Sequence, residues 1–104
     1  MQPHLKYAQI RPGHRTEGDG GGIIDLYRMP EFLEALTALK CSNALTAEEW
    51  KQVGAWLNQY YTWLTTSRQG RHAHTRSNNH YLFYVAQCAY LASFLGRSHE
   101  AAQW

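Results

Sequence analysis

Two asparagines and a histidine precede a long apolar stretch in the segment S-N-N-H-Y-L-F-Y-V-A-Q-C-A-Y-L-A-S-F-L-G, which runs from Ser77 to Gly96. Because a helix turns by about 100° per residue, His80, Tyr84 and Gln87 fall on one narrow stripe. The rest of the circumference beyond Tyr84 is almost entirely apolar, which is typical of a helix that packs against neighbours on several sides. The pattern predicts a core helix that holds a polar site at its amino-terminal end.

His72, His74 and His80 lie close together in the sequence, and neutral imidazoles are common zinc ligands. However, H-x-H in a loop with no carboxylate or thiolate nearby is a weak metal pattern. We therefore expect no metal and no other cofactor.

The chain begins with an irregular, glycine-rich lead-in, residues 1–22, that contains E-G-D-G-G-G. A phosphate-binding loop would need a preceding strand, a following Lys-Ser/Thr or the G-x-G-x-x-G spacing, and none of these is present. We expect a mobile surface loop or the edge of a cleft.

Helical signals dominate residues 23–104. Pro30 and an apolar stripe predict one helix within Ile23 to Lys40, and the capping-box pattern of Thr46 with Glu49 opens a second. The second helix is expected to stop near Ser67 to Gly70, followed by a basic polar loop from Arg68 to Ser77. The helix of Ser77 to Gly96 comes next, and Ser98 is a candidate N-cap of a further helix.

Acidic residues are absent between Lys51 and His99, although the formal net charge of the 104-residue chain is only +2. This basic half favours an anionic partner, and a solvated basic face is the alternative. No segment resembles a signal peptide or is long and apolar enough to span a bilayer, so we expect a soluble chain with no membrane partner.

In a chain of this size, the helices cannot cover all of their apolar faces by packing against one another. We therefore expect either a larger helical domain, whose remainder covers them, or an obligate assembler that uses a second copy.

Four segments of the chain form a recognisable series: Y-A-Q-I-R-P-G at 7–13, G-I-I-D at 22–25, W-L-T-T-S-x-x-G at 63–70, and N-N-H-x-x-x-Y-x-x-Q at 78–87 followed by F-L-G. In this order they resemble the alginate lyase domain of polysaccharide lyases. The resemblance implies an all-α fold, a partial (α/α) toroid of helical hairpins around a cleft. Residues 1–104 would be an N-terminal or internal segment of that domain.

The resemblance also implies β-elimination on an acidic uronate polysaccharide such as alginate. Asn79 would neutralise the uronate carboxylate, and His80 would be a second neutraliser or a base. The predicted substrate-binding residues are Asn78, Tyr81, Tyr84, Gln87 and Arg76. Tyr81 stands where the closest relatives have glycine, which adds bulk beside the histidine and bears on substrate preference.

In the family, a catalytic tyrosine comes from a later helix, and no residue of this chain corresponds to it. We therefore expect the isolated segment to be inactive. The resemblance also implies a periplasmic or secreted protein whose partner is the polysaccharide rather than nucleic acid.

Structural explanations compete with each of these roles. Asn78 and Asn79 are common N-cap residues, and a first-turn histidine such as His80 often bonds a backbone carbonyl. Two other functions remain open: a non-catalytic helical interaction module derived from a lyase, and a polyanion or nucleic-acid binder supported by the basic second half.

Overall fold

Helices form the regular structure of this protein in a computed structural model that describes residues 1–10, 12–13 and 16–104. The elements are a 3-10 helix at Gly20–Leu26, α1 at Met29–Leu39, α2 at Ala47–Thr66, α3 at Arg68–His74, α4 at Asn79–Phe94 and α5 at Ser98–Ala101. No strand occurs among the described residues, so the all-α prediction is confirmed. None of these helices is long and apolar enough to cross a membrane.

The start of α2 and the end of α4 follow their sequence signals. At α2, the Glu49 amide donates to the Thr46 hydroxyl at 3.1 Å, and the Glu49 carboxylate accepts from the Thr46 amide at 2.7 Å, which completes the capping box. At α4, Gly96 has a φ of 74°, and the Arg97 amide donates to the Ala92 carbonyl at 2.8 Å. This is a Schellman ending, which requires the left-handed conformation that glycine adopts without strain.

The central helix is α4, which packs against α1, α2, α3, α5 and the 3-10 helix. Its position follows from its composition, because a helix that is apolar on most sides is stable only when neighbours surround it. The largest fully buried side chains come from the 3-10 helix, α1, α2 and α4. They are Tyr60, Tyr84, Ile23, Leu33, Leu57, Leu64, Leu91, Gln87 and Cys88.

The segment after α2 is a helix and not the predicted basic loop. Ser67 ends α2 and caps α3, because its hydroxyl accepts a hydrogen bond from the Gly70 amide at 3.0 Å. A Cβ on Gly70 would lie 1.7 Å from the Leu64 carbonyl oxygen, so only glycine permits this sharp connection. Buried Ala73 then fixes the short helix to the rest of the fold.

The glycine run is also more ordered than predicted. Gly20, Gly21 and Gly22 are buried in the 3-10 helix, where the Asp19 carboxylate accepts from the Gly21 amide at 2.7 Å. A Cβ on Gly20 would lie 2.6 Å from the Ala73 amide nitrogen. The prediction of a surface loop is therefore wrong at these residues, because they are buried and their backbone packs closely on α3, whereas the alternative of a cleft edge stays a prediction.

An apolar groove remains open between α1 and α2, with a volume of about 550 Å³. Phe32 and Trp56 are among its lining residues, and Phe32 is half exposed. Leu82 on α4 is also exposed. These surfaces agree with the expectation that the described helices leave apolar area uncovered.

Candidate functional site

The site predicted at the start of α4 is built on an asparagine cap. Asn78 has an extended backbone, and its side-chain oxygen accepts a hydrogen bond from the His80 amide at 3.1 Å. The N-cap explanation therefore holds for Asn78, whose side chain is exposed but already engaged by the helix. Asn79 begins the helix and is exposed, and its side chain has no hydrogen bond within the described part of the chain.

His80 is half-buried beside the 3-10 helix. Its Cε1 atom lies 3.9 Å from the position that a Cβ on Gly21 would take. Its Nδ1 atom is buried and has no hydrogen-bond partner among the described residues. The alternative of a histidine bonded to a backbone carbonyl therefore does not hold at Nδ1. A buried polar atom without a partner is costly, and His80 Nδ1 is the one such side-chain atom in the part of the chain that the structure describes.

Two further contacts hold the 3-10 helix against α3 and so fix the surroundings of His80. The Gly20 amide donates to Nδ1 of His72 at 3.0 Å, and Nε2 of Gln69 donates to the Gly18 carbonyl at 3.3 Å. His72 thus has a structural use that its place in a histidine cluster did not predict. Groups of three or more His, Cys, Asp or Glu side chains that could hold a metal do not occur among the described residues.

Gln87 lies on the predicted stripe but faces the core. It is fully buried, its Oε1 accepts from the Tyr60 hydroxyl at 2.8 Å, and its Nε2 donates to the Ile23 carbonyl at 3.0 Å. Since both ends of its amide are engaged, the interpretation of Gln87 as a substrate-binding residue needs correction. The side chain instead fastens the 3-10 helix and α2 to α4.

Tyr84 is likewise buried, with 2% of its surface exposed. Burial, with a smaller contribution from neighbouring Cys88, raises the pKa of the Tyr84 hydroxyl far above its ordinary value, so this group is harder to deprotonate than an exposed tyrosine. The predicted cleft-lining role of Tyr84 is therefore also corrected, because solvent barely reaches its side chain. Its place on the polar stripe reflects packing within the protein.

Tyr81 and Arg76 remain accessible. Tyr81 is half-buried and stacks on His74, with ring centroids 5.8 Å apart and planes inclined by 14°. The His74 ring also stacks on Tyr84 at 5.6 Å and meets Trp104 edge-on at 5.8 Å. His74 thus belongs to an aromatic cluster at the carboxyl end of α3, which the helical period of α4 alone did not indicate.

The basic residues differ in whether they form ion pairs with acidic residues. Arg97 pairs with Glu100 at 3.1 Å, and Arg68 lies 3.8 Å from Glu17. Arg76 is exposed in the turn before α4 and has no ion pair within the described ranges. Arg76 therefore provides a positive charge near the start of α4 that can attract an anion.

Comparison with known proteins agrees with this architecture. The family model described as alginate lyase matches residues 1–104. Among solved structures, the chain is similar to an alginate lyase from Bacteroides ovatus, with 34% sequence identity and a TM-score of 0.93, covering 99% of this chain and 27% of that one. This chain thus spans well under half of the length of that protein. Comparison with the curated proteins gives no match.

These findings confirm the resemblance predicted from the four motifs. They also agree with the predicted all-α fold class, because nearly the whole chain superposes on the solved structure.

Proposed function

Because this chain belongs to the alginate lyase family, we propose that it supplies one wall of the active site of a polysaccharide lyase. The substrate class is an acidic uronate polysaccharide such as alginate, and the reaction is β-elimination. The observation that carries the proposal is that the first turn of α4 presents the exposed Asn79 side chain, which has no hydrogen bond within the described residues, next to the half-buried ring of His80.

The chemistry needs such groups. The base removes the proton on C5 of the uronate, which is weakly acidic because the electrons left behind add charge to a carboxylate. A donor placed at that carboxylate stabilises the enediolate as it forms, and one such donor is worth roughly 3 to 4 kcal/mol. The amide of Asn79 and the imidazole of His80 are suitable donors, and the amino-terminal end of α4 adds a favourable dipole.

The other accessible residues fit supporting roles. Arg76 attracts the polyanion to the start of α4, and Tyr81 offers an aromatic surface beside His80. Asn78 acts through its cap, because the bond from its side chain to the His80 amide fixes the first turn. These three are proposed to bind or orient the sugar.

Proton transfer to the departing O4 oxygen needs an acid that this chain does not supply. By family resemblance that acid is a tyrosine on a later helix, and Tyr84 is a poor substitute because its hydroxyl is buried. We therefore propose that residues 1–104 alone give little or no turnover.

A non-catalytic interaction module is the second candidate, favoured by the apolar groove between α1 and α2. Under either function, we propose that further helices of the domain or a second copy cover this groove. Sedimentation of the isolated chain tests this point, since a well-folded monomer would contradict it. For the nucleic-acid alternative, Arg68 and Arg97 contribute less free charge than the sequence indicates, because both lie beside acidic groups.

The direct test uses the natural protein that contains this chain and follows the ultraviolet absorbance of the unsaturated uronate end during incubation with alginate. We expect a rise that is lost in Asn79→Ala and His80→Ala. Asn43→Ala and His99→Ala are matched controls at exposed positions and should retain the rise. No rise with any polyuronate, or full activity in both site variants, would overturn the proposal.

A further inference from the structure

Gln9 has a φ angle of 54°, and it is the only non-glycine residue with a positive φ in the described part of the chain. Residues with a Cβ rarely adopt this left-handed conformation, and glycine or asparagine adopts it more readily than glutamine. Strained backbone persists where surrounding contacts hold it, and such positions cluster at functional sites. The presence of glutamine at this position therefore indicates that its side chain has a role.

The Gln9 side chain reaches the same glycine that His80 contacts. Its Nε2 donates to Oδ1 of Asp25 on the 3-10 helix at 2.7 Å. Its Oε1 lies 3.7 Å from the position that a Cβ on Gly21 would take, and Cε1 of His80 lies 3.9 Å from that same position. The amide oxygen of Gln9 and the imidazole of His80 therefore both border the bare backbone of Gly21.

The turn that carries Gln9 is packed directly on the glycine run. The Gly18 amide donates to the Lys6 carbonyl at 2.8 Å, and a Cβ on Gly22 would lie 2.7 Å from the Ala8 Cβ. These approaches leave little freedom for the backbone next to Gln9. The backbone position of Gln9 is thus set by the packing of this turn, while its side chain is exposed and bonds Asp25.

We propose that Gln9 is a substrate-positioning residue whose Oε1 accepts a hydrogen bond from a sugar hydroxyl beside His80. The inference rests on the proposed function and extends it to the sugar orientation that the site selects. Asp25 accepts one of the two N–H donors of the Gln9 amide, and the oxygen, which has no hydrogen-bond partner among the described residues, is the end of the amide that lies beside Gly21 and His80.

The charge next to Gln9 supports this orientation. The carboxylate of Asp25 lies on this side of the site, where its Oδ1 accepts from Nε2 of Gln9 at 2.7 Å. This carboxylate disfavours the uronate carboxylate here and leaves the neutral Gln9 oxygen as the acceptor for a hydroxyl. The sugar ring is therefore held with a hydroxyl toward Gln9 and its carboxylate toward Asn79.

Two substitutions separate the side chain of Gln9 from its backbone. Gln9→Asn keeps an amide and tolerates the left-handed conformation, but it is one methylene shorter, while Gln9→Gly removes both the side chain and the strain. Gln59→Asn, at an exposed position of α2, is the matched control. Calorimetry on the natural protein measures the binding of a uronate disaccharide and of its monodeoxy analogues, each of which lacks one hydroxyl donor.

We expect the wild-type protein to bind the disaccharide about tenfold more tightly than the deoxy analogue that lacks the hydroxyl facing Gln9, as the loss of one hydrogen bond implies. In Gln9→Asn and Gln9→Gly this ratio should fall towards one with no decrease in unfolding temperature, whereas the control keeps it. An unchanged ratio in both variants overturns the role of Gln9 alone. A decreased unfolding temperature in both makes Gln9 a structural residue, and no binding by the wild-type protein overturns both proposals.

Discussion

The side chain of Gln87 on α4 accepts a 2.8 Å hydrogen bond from the hydroxyl of Tyr60 on α2, inside the core and away from solvent. Burial raises the pKa of the Tyr60 hydroxyl far above its ordinary value, which keeps it protonated and able to donate. The other end of the Gln87 amide donates to the Ile23 carbonyl. One buried amide thus joins three elements that surround the candidate site.

We predict that Gln87→Leu lowers the free energy of unfolding by about 1 to 3 kcal/mol, because it leaves the Tyr60 hydroxyl and the Ile23 carbonyl buried without partners. Denaturant unfolding monitored by circular dichroism measures the change. Gln103→Leu, at an exposed position, is the control and should leave stability nearly unchanged. Unaltered stability in Gln87→Leu, together with weaker sugar binding, would restore the substrate-binding role.

Two glycine-to-alanine substitutions are expected to act in opposite directions. Gly20→Ala should destabilise by about 1 to 3 kcal/mol, because its Cβ would meet the backbone of α3 at 2.6 Å. Gly54→Ala should stabilise by about 0.5 to 1 kcal/mol, since Gly54 lies within α2 and nothing lies within 4 Å of the added Cβ. Thermal unfolding of the two variants checks the signs. Equal stability of both would contradict the close packing of the 3-10 helix on α3.

Glu100 should make the protein less stable in acid. Its pKa lies below the ordinary value of 4.5, because the Tyr61 hydroxyl and then Arg97 favour the charged carboxylate. Its contribution to stability is therefore complete above pH 4.5 and is lost as the pH falls through the lower, folded-state value. Glu100→Gln should flatten the fall in unfolding free energy in that acidic window. An identical pH profile in the wild-type protein and the variant would rule out this contribution.

The stacking of His74 on Tyr81 should contribute to stability. Aromatic pairs of this geometry are worth about 0.5 to 1.5 kcal/mol beyond simple burial. A double-mutant cycle of His74→Ala and Tyr81→Ala measures this coupling by chemical denaturation. A coupling energy of zero would show that the 5.8 Å stack is only a consequence of chain geometry.

Local signals in the sequence were sufficient to predict where several helices begin or end. The capping box of Thr46 and Glu49 and the glycine exit at Gly96 depend on residues within one helical turn, so each could be predicted with its mechanism. The segment Arg68–His74 was missed because it is short and polar and lacks an apolar stripe. Its helix depends on the close approach of Gly70 to Leu64, a contact that no local pattern reveals.

The candidate site was predictable in part for the same reason. Helical spacing correctly put His80, Tyr84 and Gln87 on one face, but it could not show which of them faces solvent. Tyr60 is distant in sequence and provides the partner that makes a buried glutamine acceptable. The approach of Gln9 to Gly21 likewise depends on how the lead-in folds back onto the glycine run.

The central claim is that Asn79 and His80 act by neutralising the uronate carboxylate. The most direct measurement compares kcat/KM of the natural protein and its Asn79→Ala and His80→Ala variants on a polyuronate and on its methyl ester, whose carboxyl groups carry no charge. We predict a loss of about 10²–10³-fold per variant on the polyuronate and a much smaller loss on the ester. Equal losses on the two polymers would contradict the claim.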